Sequence, residues 1–292
     1  MEHDTTTAVK MPSLDIDMIK SVAIQGIKGS FHHIVALEYF KDKLPLDECL
    51  TFDGVVQSAL SKKTDAVIMA IENSIAGSII PNYALIDDNQ LHIIGEHYLD
   101  IQHHLMGLPG QNIDDIHEVY SHPMALLQCK QFFKKHPHIK LIEDKDTAEV
   151  AQRIQQKQLR NVGAIASRLA ADLFELEIIS ESIQTIKENE TRFVIAVTSD
   201  SEAHEVDINK ASLKFTLDHK RGSLASILNV MSDCRLNLTK IQSLPKIDTP
   251  WKYAFFVDVT FENYQDYEKA KSIMEIMAQE FKVLGEYKNA RQ

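Results

Sequence analysis

The chain has 292 residues, 44% of them hydrophobic and 25% charged, which suits about two globular domains and excludes fibrous or disordered proteins. Its net charge of −11 comes without a basic stripe, which argues against nucleic-acid binding. No apolar run is long enough to span a membrane, and residues 1–20 form a polar lead-in without a secretory signal. Cys49, Cys129 and Cys234 are scattered and form no CxxC pair, which favours a reducing compartment. We therefore expect a cytoplasmic protein.

From residue 21 onward, short apolar runs alternate with helical periodicity. The runs SVAIQG, DAVIMAI, HEVYS, IKLIE, VGAIAS and TRFVIAV predict strands. Between them lie helical stretches, one starting near Pro123 and one capped by Asp146 and Thr147. This alternation predicts an α/β protein with mostly parallel strands. In such sheets ligands bind beyond the carboxyl ends of the strands, beside helix N-termini, so we expect one cleft there.

A second domain follows a polar segment at residues 199–210, which predicts a linker. Over residues 211–288, strand patterns and two amphipathic helices occur in the order βαββαβ. The strictest alternation is in WKYAFFVDV. The order is the ferredoxin-like pattern.

Polar groups lie where the predicted strands end. Gly29 and Ser30 open a helix after a glycine turn, where they can cradle an anion or form an ordinary turn. Residues 72–74 follow a buried strand and can bind a substrate or cap the next helix. Thr191 can donate a hydrogen bond, and Arg192 can grip a carboxylate through two parallel bonds. A surface arginine on a strand fits the same tripeptide.

Thirteen histidines raise the question of a metal site. The adjacent pairs at residues 32–33 and 103–104 point apart on a strand and lie about 100° apart on a helix. The sequence contains no HExxH motif, no Cys/His cluster and no GxSxG elbow. We expect no metal, and we expect a structural or polar cleft role for His122.

Taken together, these segments resemble the prephenate dehydratase family over roughly residues 21 to 287. The matching pieces occur in the family's order and at its spacing. They are VAIQGIKGSFHHIVA, AIENSIAGSI, LDIQHHLMG, YSHPMALLQC, DTAEVA, VGAIASRLAADLFELEIISESIQ and NETRFVIAV. The C-terminal part resembles an ACT domain, with HKRGSLASIL at the phenylalanine-binding turn and NLTKIQSLP at a second motif.

The resemblance implies a catalytic region at residues 21–198 with two lobes similar to type II periplasmic binding proteins and the active cleft between them. Lobe 1 is expected at about 21–99 and 176–198, and lobe 2 at about 100–175. An ACT regulatory domain is expected at residues 211–288, pairing subunits into a homodimer or homotetramer. No chorismate mutase helix is expected before residue 21, and no dinucleotide fingerprint is present, so we expect a single catalytic activity.

The resemblance also assigns candidate site residues. Thr191, Arg192 and Phe193 match the family's catalytic Thr-Arg-Phe motif, with Thr191 the residue tied to catalysis. The residues expected to bind substrate are Gly29, Ser30, Glu72, Asn73, Ser74, Ser121, His122 and Thr147. The residues expected to bind the effector are Gly222, Ser223, Leu224, Asn237, Gln242, Ser243 and Pro245.

Four departures from the family pattern bear on these expectations. Gln242 and Leu244 replace a usual Glu and Arg, so the sign and strength of the response to phenylalanine stay open. Ser30 replaces a usual Thr but keeps the hydroxyl, and His32 replaces a usual Ser.

The implied reaction is the decarboxylating dehydration of prephenate to phenylpyruvate, water and CO2 in L-phenylalanine synthesis, without a cofactor and with L-phenylalanine as effector. Because the ring becomes aromatic, the enzyme has to hold a dianion and assist the leaving hydroxyl. Arg192 and helix-start N–H groups suit the first task, and Thr191 suits the second. The final proton donor stays open, with Glu72 another candidate. The alternatives are an arogenate dehydratase and a non-catalytic small-molecule sensor.

Overall fold

The structure is a computed structural model that describes residues 18–41, 44–198, 208–218, 220–245 and 253–291. Most of the predicted lead-in and linker lies outside these residues. The chain forms two compact units. The N-terminal unit comprises Lys20–Asn89 and Glu96–Ala196, and the C-terminal unit comprises Gln90–Gly95 and the described parts of Met1–Ile19 and Val197–Gln292. The prediction of an α/β protein is confirmed, but the expectation of mostly parallel strands is wrong, because both sheets of the N-terminal unit also contain antiparallel pairs.

Strands and helices alternate along the first two thirds of the chain. The strands are β1 (Val22–Gln25), β2 (Leu46–Cys49), β3 (Ala66–Asn73), β4 (Gly77–Ser78), β5 (Leu91–Asp100), β6 (His104–Gly107), β7 (Glu118–Ser121), β8 (Lys140–Glu143), β9 (Val162–Ala166), β10 (Glu177–Ser180) and β11 (Glu190–Thr198). The helices are α1 (Phe31–Phe40), α2 (Phe52–Leu60), α3 (Ile80–Asp88), α4 (Pro123–Phe133), α5 (Thr147–Lys157) and α6 (Arg168–Leu173). None of the described helices is long and apolar enough to cross a membrane.

The first sheet of the N-terminal unit is built around β3. Strand β1 lies between β2 and β3 and is parallel to both, and β11 runs antiparallel to β3. Strand β3 is apolar and buried as far as Ile71 because both of its faces are covered. It ends at Asn73, so the first polar side chains of this segment lie at the carboxyl end of the strand.

The second sheet has the order β10-β6-β9-β7-β8. Strands β7, β8 and β9 are parallel, and β6 and β10 are antiparallel to their neighbours. This order corrects the expected lobe boundary at residue 176. Strand β10 pairs with β6 in the second sheet, and Leu176 packs in the same apolar cluster as Met106 and Leu108. The chain therefore returns to the first sheet only after Ser180.

The C-terminal unit contains β12 (Lys210–Thr216), α7 (Ser223–Asp233), β13 (Asn237–Pro245), β14 (Tyr253–Thr260), α8 (Tyr264–Met277) and β15 (Glu280–Tyr287). These elements have the order βαββαβ, and the sheet order is β13-β14-β12-β15. Alternate residues of β12, such as Leu213 and Phe215, pack with Ile227 of α7 and Met274 of α8. The predicted strand from Trp251 is described from Tyr253 onward.

Candidate active site

A cleft with a volume of about 620 Å³ lies within the N-terminal unit. Helices α1 to α5 all begin at this cleft. The lining residues at these helix starts are Ser30, Phe31 and His32; Thr51, Phe52 and Asp53; Ile79, Pro81 and Asn82; His122 and Met124; and Asp146 and Thr147. A helix N-terminus presents N–H groups and a partial positive charge. The wall of the cleft therefore favours an anionic ligand, although the protein has a net charge of −11.

Neutral side chains form a continuous hydrogen-bonded group at the cleft, which we call the amide chain. The Nδ2 atom of Asn73 lies 2.9 Å from Oγ1 of Thr191 and 2.7 Å from Oδ1 of Asn189. Nδ2 of Asn189 lies 3.0 Å from Oε1 of Gln128, and Nε2 of His103 lies 2.9 Å from the same oxygen. Asn189 is fully buried, and the other four residues line the cleft. Hydrogen-bonding groups therefore lie on the cleft wall without a formal charge.

Three members of the amide chain were missed by sequence reasoning. Gln128 lies one helical turn after Ala125, so it shares the cleft-facing side of α4 with that residue. This spacing was a usable signal. His103 and Asn189 lie inside two of the matching segments, but Asn189 meets Asn73 across 116 positions of sequence, a contact that no local pattern predicts.

The three residues of the Thr-Arg-Phe motif divide between the two faces of β11. Thr191 and Phe193 line the cleft, and Arg192 does not. Nε of Arg192 donates to Oε2 of Glu96 at 2.6 Å, and only 4% and 0% of these side chains are exposed. Because successive strand residues point to opposite faces, we correct the expectation that Arg192 grips a substrate carboxylate. In this structure it is a partner in a buried ion pair.

Lys145 lines the cleft, whereas Arg192 does not. Among the described residues that line the cleft, it is the only lysine or arginine. It is exposed and immediately precedes the cap of α5. Asp146 accepts hydrogen bonds from the N–H groups of Ala148 and Glu149 at 2.8 and 2.9 Å. The negative charge beside Lys145 is therefore directed into the start of a helix.

The glycine turn before α1 uses its donors internally. The N–H of Lys28 donates to Oε2 of Glu48 at 3.1 Å, and the N–H of Gly29 donates to Nδ1 of His33 at 3.0 Å. Oγ of Ser30 accepts from the N–H of His33 at 3.3 Å. The idea of an anion cradle in this turn is therefore corrected, and Ser30 reaches the cleft as a helix cap.

Gly29 has a packing role instead of a binding role. Its φ is +92°, and a Cβ atom at this position would come within 3.0 Å of the Cα of Ala170 in α6. Oγ of Ser167 also donates to the carbonyl oxygen of Gly29 at 2.6 Å. This contact ties the turn after β1 to the helix that follows β9.

The other expected substrate residues also divide into two groups. Besides Ser30, the ones that line the cleft are Asn73, His122 and Thr147. Gly29, Glu72, Ser74 and Ser121 are not among the lining residues. Ser74 accepts from the N–H of Glu190 at 3.0 Å, and the buried Ser121 donates to the carbonyl of Ile165 at 2.7 Å. These two hydroxyls hold the backbone near the cleft.

Two histidines that line the cleft are buried. His32 packs edge to face on Phe193, with ring centroids 4.9 Å apart, and on Phe52 at 5.6 Å. Burial lowers the pKa of His32 to about 3 and the pKa of His103 to about 4, so both rings are neutral near pH 7. Within the described ranges, no group of three or more His, Cys, Asp and Glu side chains is placed to hold a metal ion.

The expected effector residues lie on two elements of the C-terminal unit. Gly222 has a φ of +87° and immediately precedes α7, which begins with Ser223 and Leu224. Helix α7 packs against β13. That strand carries the rest of the set, namely Asn237, Gln242, Ser243 and Pro245.

The fold and the cleft define an α/β protein with a candidate small-molecule site, which is lined by helix N-termini, uncharged hydrogen-bonding groups, Lys145, Asp53 and Asp146. A sequence profile for prephenate dehydratase matches residues 22–201. A bifunctional chorismate mutase/prephenate dehydratase of Aquifex aeolicus (strain VF5) is 32% identical over 95% of this chain and 76% of its own length. An arogenate dehydratase/prephenate dehydratase of Arabidopsis thaliana is 36% identical over 84% of this chain and 62% of its own length. The chain belongs to the prephenate dehydratase family.

Solved structures share this fold. A prephenate dehydratase of Arthrobacter aurescens in complex with L-Phe superposes with a TM-score of 0.83 at 22% identity, over 93% of this chain and 90% of that one. A protein described as a quorum quenching acylase superposes with a TM-score of 0.81 at 23% identity, over 93% of this chain and 100% of that one. At these identities the likeness concerns the fold alone.

Proposed function

We propose that the chain is a prephenate dehydratase, which converts prephenate to phenylpyruvate, water and CO2 for L-phenylalanine synthesis. The observation that carries the proposal is the cleft itself. Five helix N-termini and Lys145 can bind an anionic substrate. The hydroxyl of Thr191 lies among neutral amides at the same cleft. Membership of the family supports the same reaction.

The cleft suits the movement of charge in this reaction. Prephenate carries a ring carboxylate, a pyruvyl side chain and a ring hydroxyl. The bond from the ring to the carboxylate breaks, its electron pair enters the ring, and the bond to the hydroxyl oxygen breaks as the ring becomes aromatic. Negative charge therefore leaves the carboxylate and develops on the departing oxygen, which takes a proton to become water. Donors aimed at the developing charge are worth most in a dry site.

Each wall of the cleft has its own task in this mechanism. The helix N-termini and Lys145 hold the carboxylates, in place of the Arg192 of the sequence prediction. The hydroxyl of Thr191 donates to the departing oxygen. The neutral rings of His32 and Phe193, packed 4.9 Å apart, exclude water without adding a charge. No cofactor is needed, because aromatisation of the ring drives the reaction.

Turnover of prephenate by the purified chain without any added cofactor tests the proposal. We expect phenylpyruvate to form, and arogenate assayed in parallel separates the two dehydratase activities. Failure to convert prephenate or arogenate, with both of them bound, would instead support a sensor.

We also propose finer assignments for the parts of the fold. The two sheets of the N-terminal unit are the centres of two lobes of the type II periplasmic-binding-protein kind, and the C-terminal unit is an ACT domain. The βαββαβ order supports the second assignment. The protein is also proposed to be cytoplasmic. It is proposed to assemble as a homodimer or homotetramer, and light scattering measures the mass of that assembly.

L-Phenylalanine is the proposed effector of the C-terminal unit. Gly222, with its φ of +87°, brings the backbone into the start of α7 without a side chain in the way, and a helix start suits the carboxylate of an amino acid. The solved relative that contains L-Phe supports the choice of ligand. Calorimetric titration tests it: no binding at millimolar phenylalanine would refute the assignment, and binding without a change in turnover would refute regulation.

A further inference from the structure

The amide chain starts at two backbone donors. Oδ1 of Asn73 accepts from the N–H of Ile75 at 3.0 Å and from the N–H of Ala76 at 2.8 Å. A backbone N–H can only donate, so the atom that faces these two groups has to be the oxygen of the Asn73 amide. The nitrogen of that amide then has to face Asn189 and Thr191, and it can only donate to them.

The donor and acceptor roles of Asn73 fix the roles of every other side chain in the amide chain, and we call this order the direction of the hydrogen bonds. Because Oδ1 of Asn189 accepts from Asn73, Nδ2 of Asn189 is the atom at 3.0 Å from Gln128. The atom of Gln128 that faces it has to be the oxygen. The same oxygen lies 2.9 Å from Nε2 of His103, so Nε2 has to carry the proton of the neutral ring.

The direction has two consequences at the cleft. Oγ1 of Thr191 accepts from Asn73 at 2.9 Å, so the proton of this hydroxyl is left for another acceptor. The oxygen of Gln128 accepts hydrogen bonds from Asn189 and His103. The Nε2 group of Gln128 is therefore the end of the amide that can donate to a ligand. Both cleft-lining residues therefore face the cleft as donors.

We propose that Asn189 is the positioning residue that transmits this direction, so that Thr191 and Gln128 both act as hydrogen-bond donors to the substrate. Asn189 is fully buried and does not line the cleft, so it acts through Asn73 and Gln128. The direction of the hydrogen bonds stands on the contacts alone. Its effect on turnover rests on the proposed function.

The discriminating variant is Asn189→Asp, which keeps the shape and removes the Nδ2 donor. Asn73 can still donate to the carboxylate, so Thr191 keeps its arrangement. Gln128 then has to turn its amide nitrogen toward the carboxylate, which presents its oxygen to the cleft. Facing that nitrogen, His103 has to accept at Nε2 and carry its proton on Nδ1.

Nitrogen-15 NMR of the histidines reads the direction without any substrate. In the unaltered protein we expect a protonated Nε2 and a bare Nδ1 on His103, with the resonance assigned by its loss in His103→Asn. In Asn189→Asp we expect the opposite tautomer. Asn112→Asp is the matched control, because the exposed Asn112 uses only its side-chain oxygen, which accepts from the N–H of Asp114, and we expect no change there. A bare Nε2 in the unaltered protein would overturn the proposed direction.

Kinetics then test the positioning role. We expect kcat for prephenate to fall about tenfold to hundredfold in Asn189→Asp, with KM changed much less. Gln128→Glu removes the same cleft donor but keeps the acceptor for His103, so it is expected to lose kcat without the change of tautomer. An unchanged kcat in a folded Asn189→Asp would overturn the role of Asn189. If the unaltered chain turns over neither substrate while its His103 carries the proton on Nε2, the proposed function fails and the direction of the amide chain stands.

Discussion

The cleft of the N-terminal unit and the helical side of the C-terminal unit both bury polar side chains, but with different chemistry. The amide chain of the cleft is neutral from Asn73 to His103. In the C-terminal unit the buried polar group is centred on a carboxylate. Oε1 of Glu286 lies 2.6 Å from the hydroxyl of Tyr267 and 3.3 Å from Nζ of Lys271, which also lies 2.7 Å from Glu268.

The difference follows from what each group of residues has to do. A buried charge is tolerated when donors surround it permanently, and Glu286 has them within its own unit. A cleft that binds a dianion needs little negative charge of its own and needs hydrogen-bond donors that point at the substrate. The first arrangement serves stability, and the second leaves the charge to be supplied by the ligand.

The largest effect is expected behind the cleft, where the N-terminal unit does use a buried charge pair. Arg192→Met leaves Glu96 buried without its guanidinium partner, so we expect the free energy of unfolding to fall by about 3–5 kcal/mol. Arg168→Met is the control, since its pair with Glu181 is exposed and its loss should change the free energy of unfolding far less. Urea unfolding measures both. A stable Arg192→Met with a raised KM would show that this arginine reaches the substrate after all.

The next effect concerns the chemistry at the cleft. Thr191→Val keeps the shape of the side chain and removes the donor to the departing oxygen, so kcat should fall about hundredfold while the fold is retained. Thr198→Val, at the end of the same strand, is the control and should keep its kcat. Steady-state assays with prephenate decide the point. A kcat near that of the unaltered chain would exclude a direct role for Thr191.

A smaller effect is expected in the carboxylate-centred group. Tyr267→Phe removes one donor to Glu286, and hydrogen bonds to charged groups contribute about 1.5–3 kcal/mol. We expect that loss in thermal or urea unfolding, with prephenate turnover in the absence of phenylalanine unchanged. Tyr253→Phe is the control, because its ring is exposed. Equal stability of Tyr267→Phe and the unaltered chain would mean that this hydroxyl contributes nothing.

The smallest effect is a difference in pH dependence. Burial lowers the pKa of His32 from 6.5 to about 3, so below pH 6.5 the unfolded chain binds more protons and stability falls. Each such histidine costs at most about 1.4 kcal/mol over the first pH unit below 6.5. Unfolding at pH 7.5 and 5.5 measures it. His32→Asn should flatten this dependence.

The C-terminal unit should respond at the other end of the pH scale. Burial and the nearby Glu286 raise the pKa of Tyr267. Burial acts to lower the pKa of Lys271, but its bonds to Glu268 and Glu286 outweigh that effect and raise it. Folding therefore favours the protonated forms, and their contribution is present below about pH 10 and lost above it. Stability that stayed level as the pH rose from about 9 to about 11 would contradict this account.

Much of the fold was predictable because the apolar runs are continuous. Strands β1, β3, β7, β9 and β11 follow runs that the sequence shows directly, and Asp146 caps α5 as expected. Strand β2 reads LDEC and is half-buried, so it lacks the apolar pattern. The segment of β10 was expected in lobe 1, whereas it pairs with β6 of the second sheet through contacts far apart in sequence.

Part of the cleft lining was predictable from the sequence, but the orientation of its side chains was not. Thr191 and Asn73 were expected at the cleft and line it, with Nδ2 of Asn73 2.9 Å from Oγ1 of Thr191. Arg192 was predicted to lie at the cleft together with Thr191 and Phe193, although alternation along a strand already places it on the other face. Asn189 could not be found from a pattern, because its function depends on which end of an amide faces which partner.

The five helix starts at the cleft also bear on how fast a ligand arrives. Helix-end partial charges act over roughly the first turn, whereas the net charge of −11 acts over the surrounding solvent. A dianion therefore meets repulsion at long range and attraction only at the entrance. Salt screens the long-range repulsion far more than the short-range attraction, because the Debye length is about 10 Å at 0.1 M. Capture of the substrate should thus speed up as ionic strength rises, the reverse of electrostatic steering.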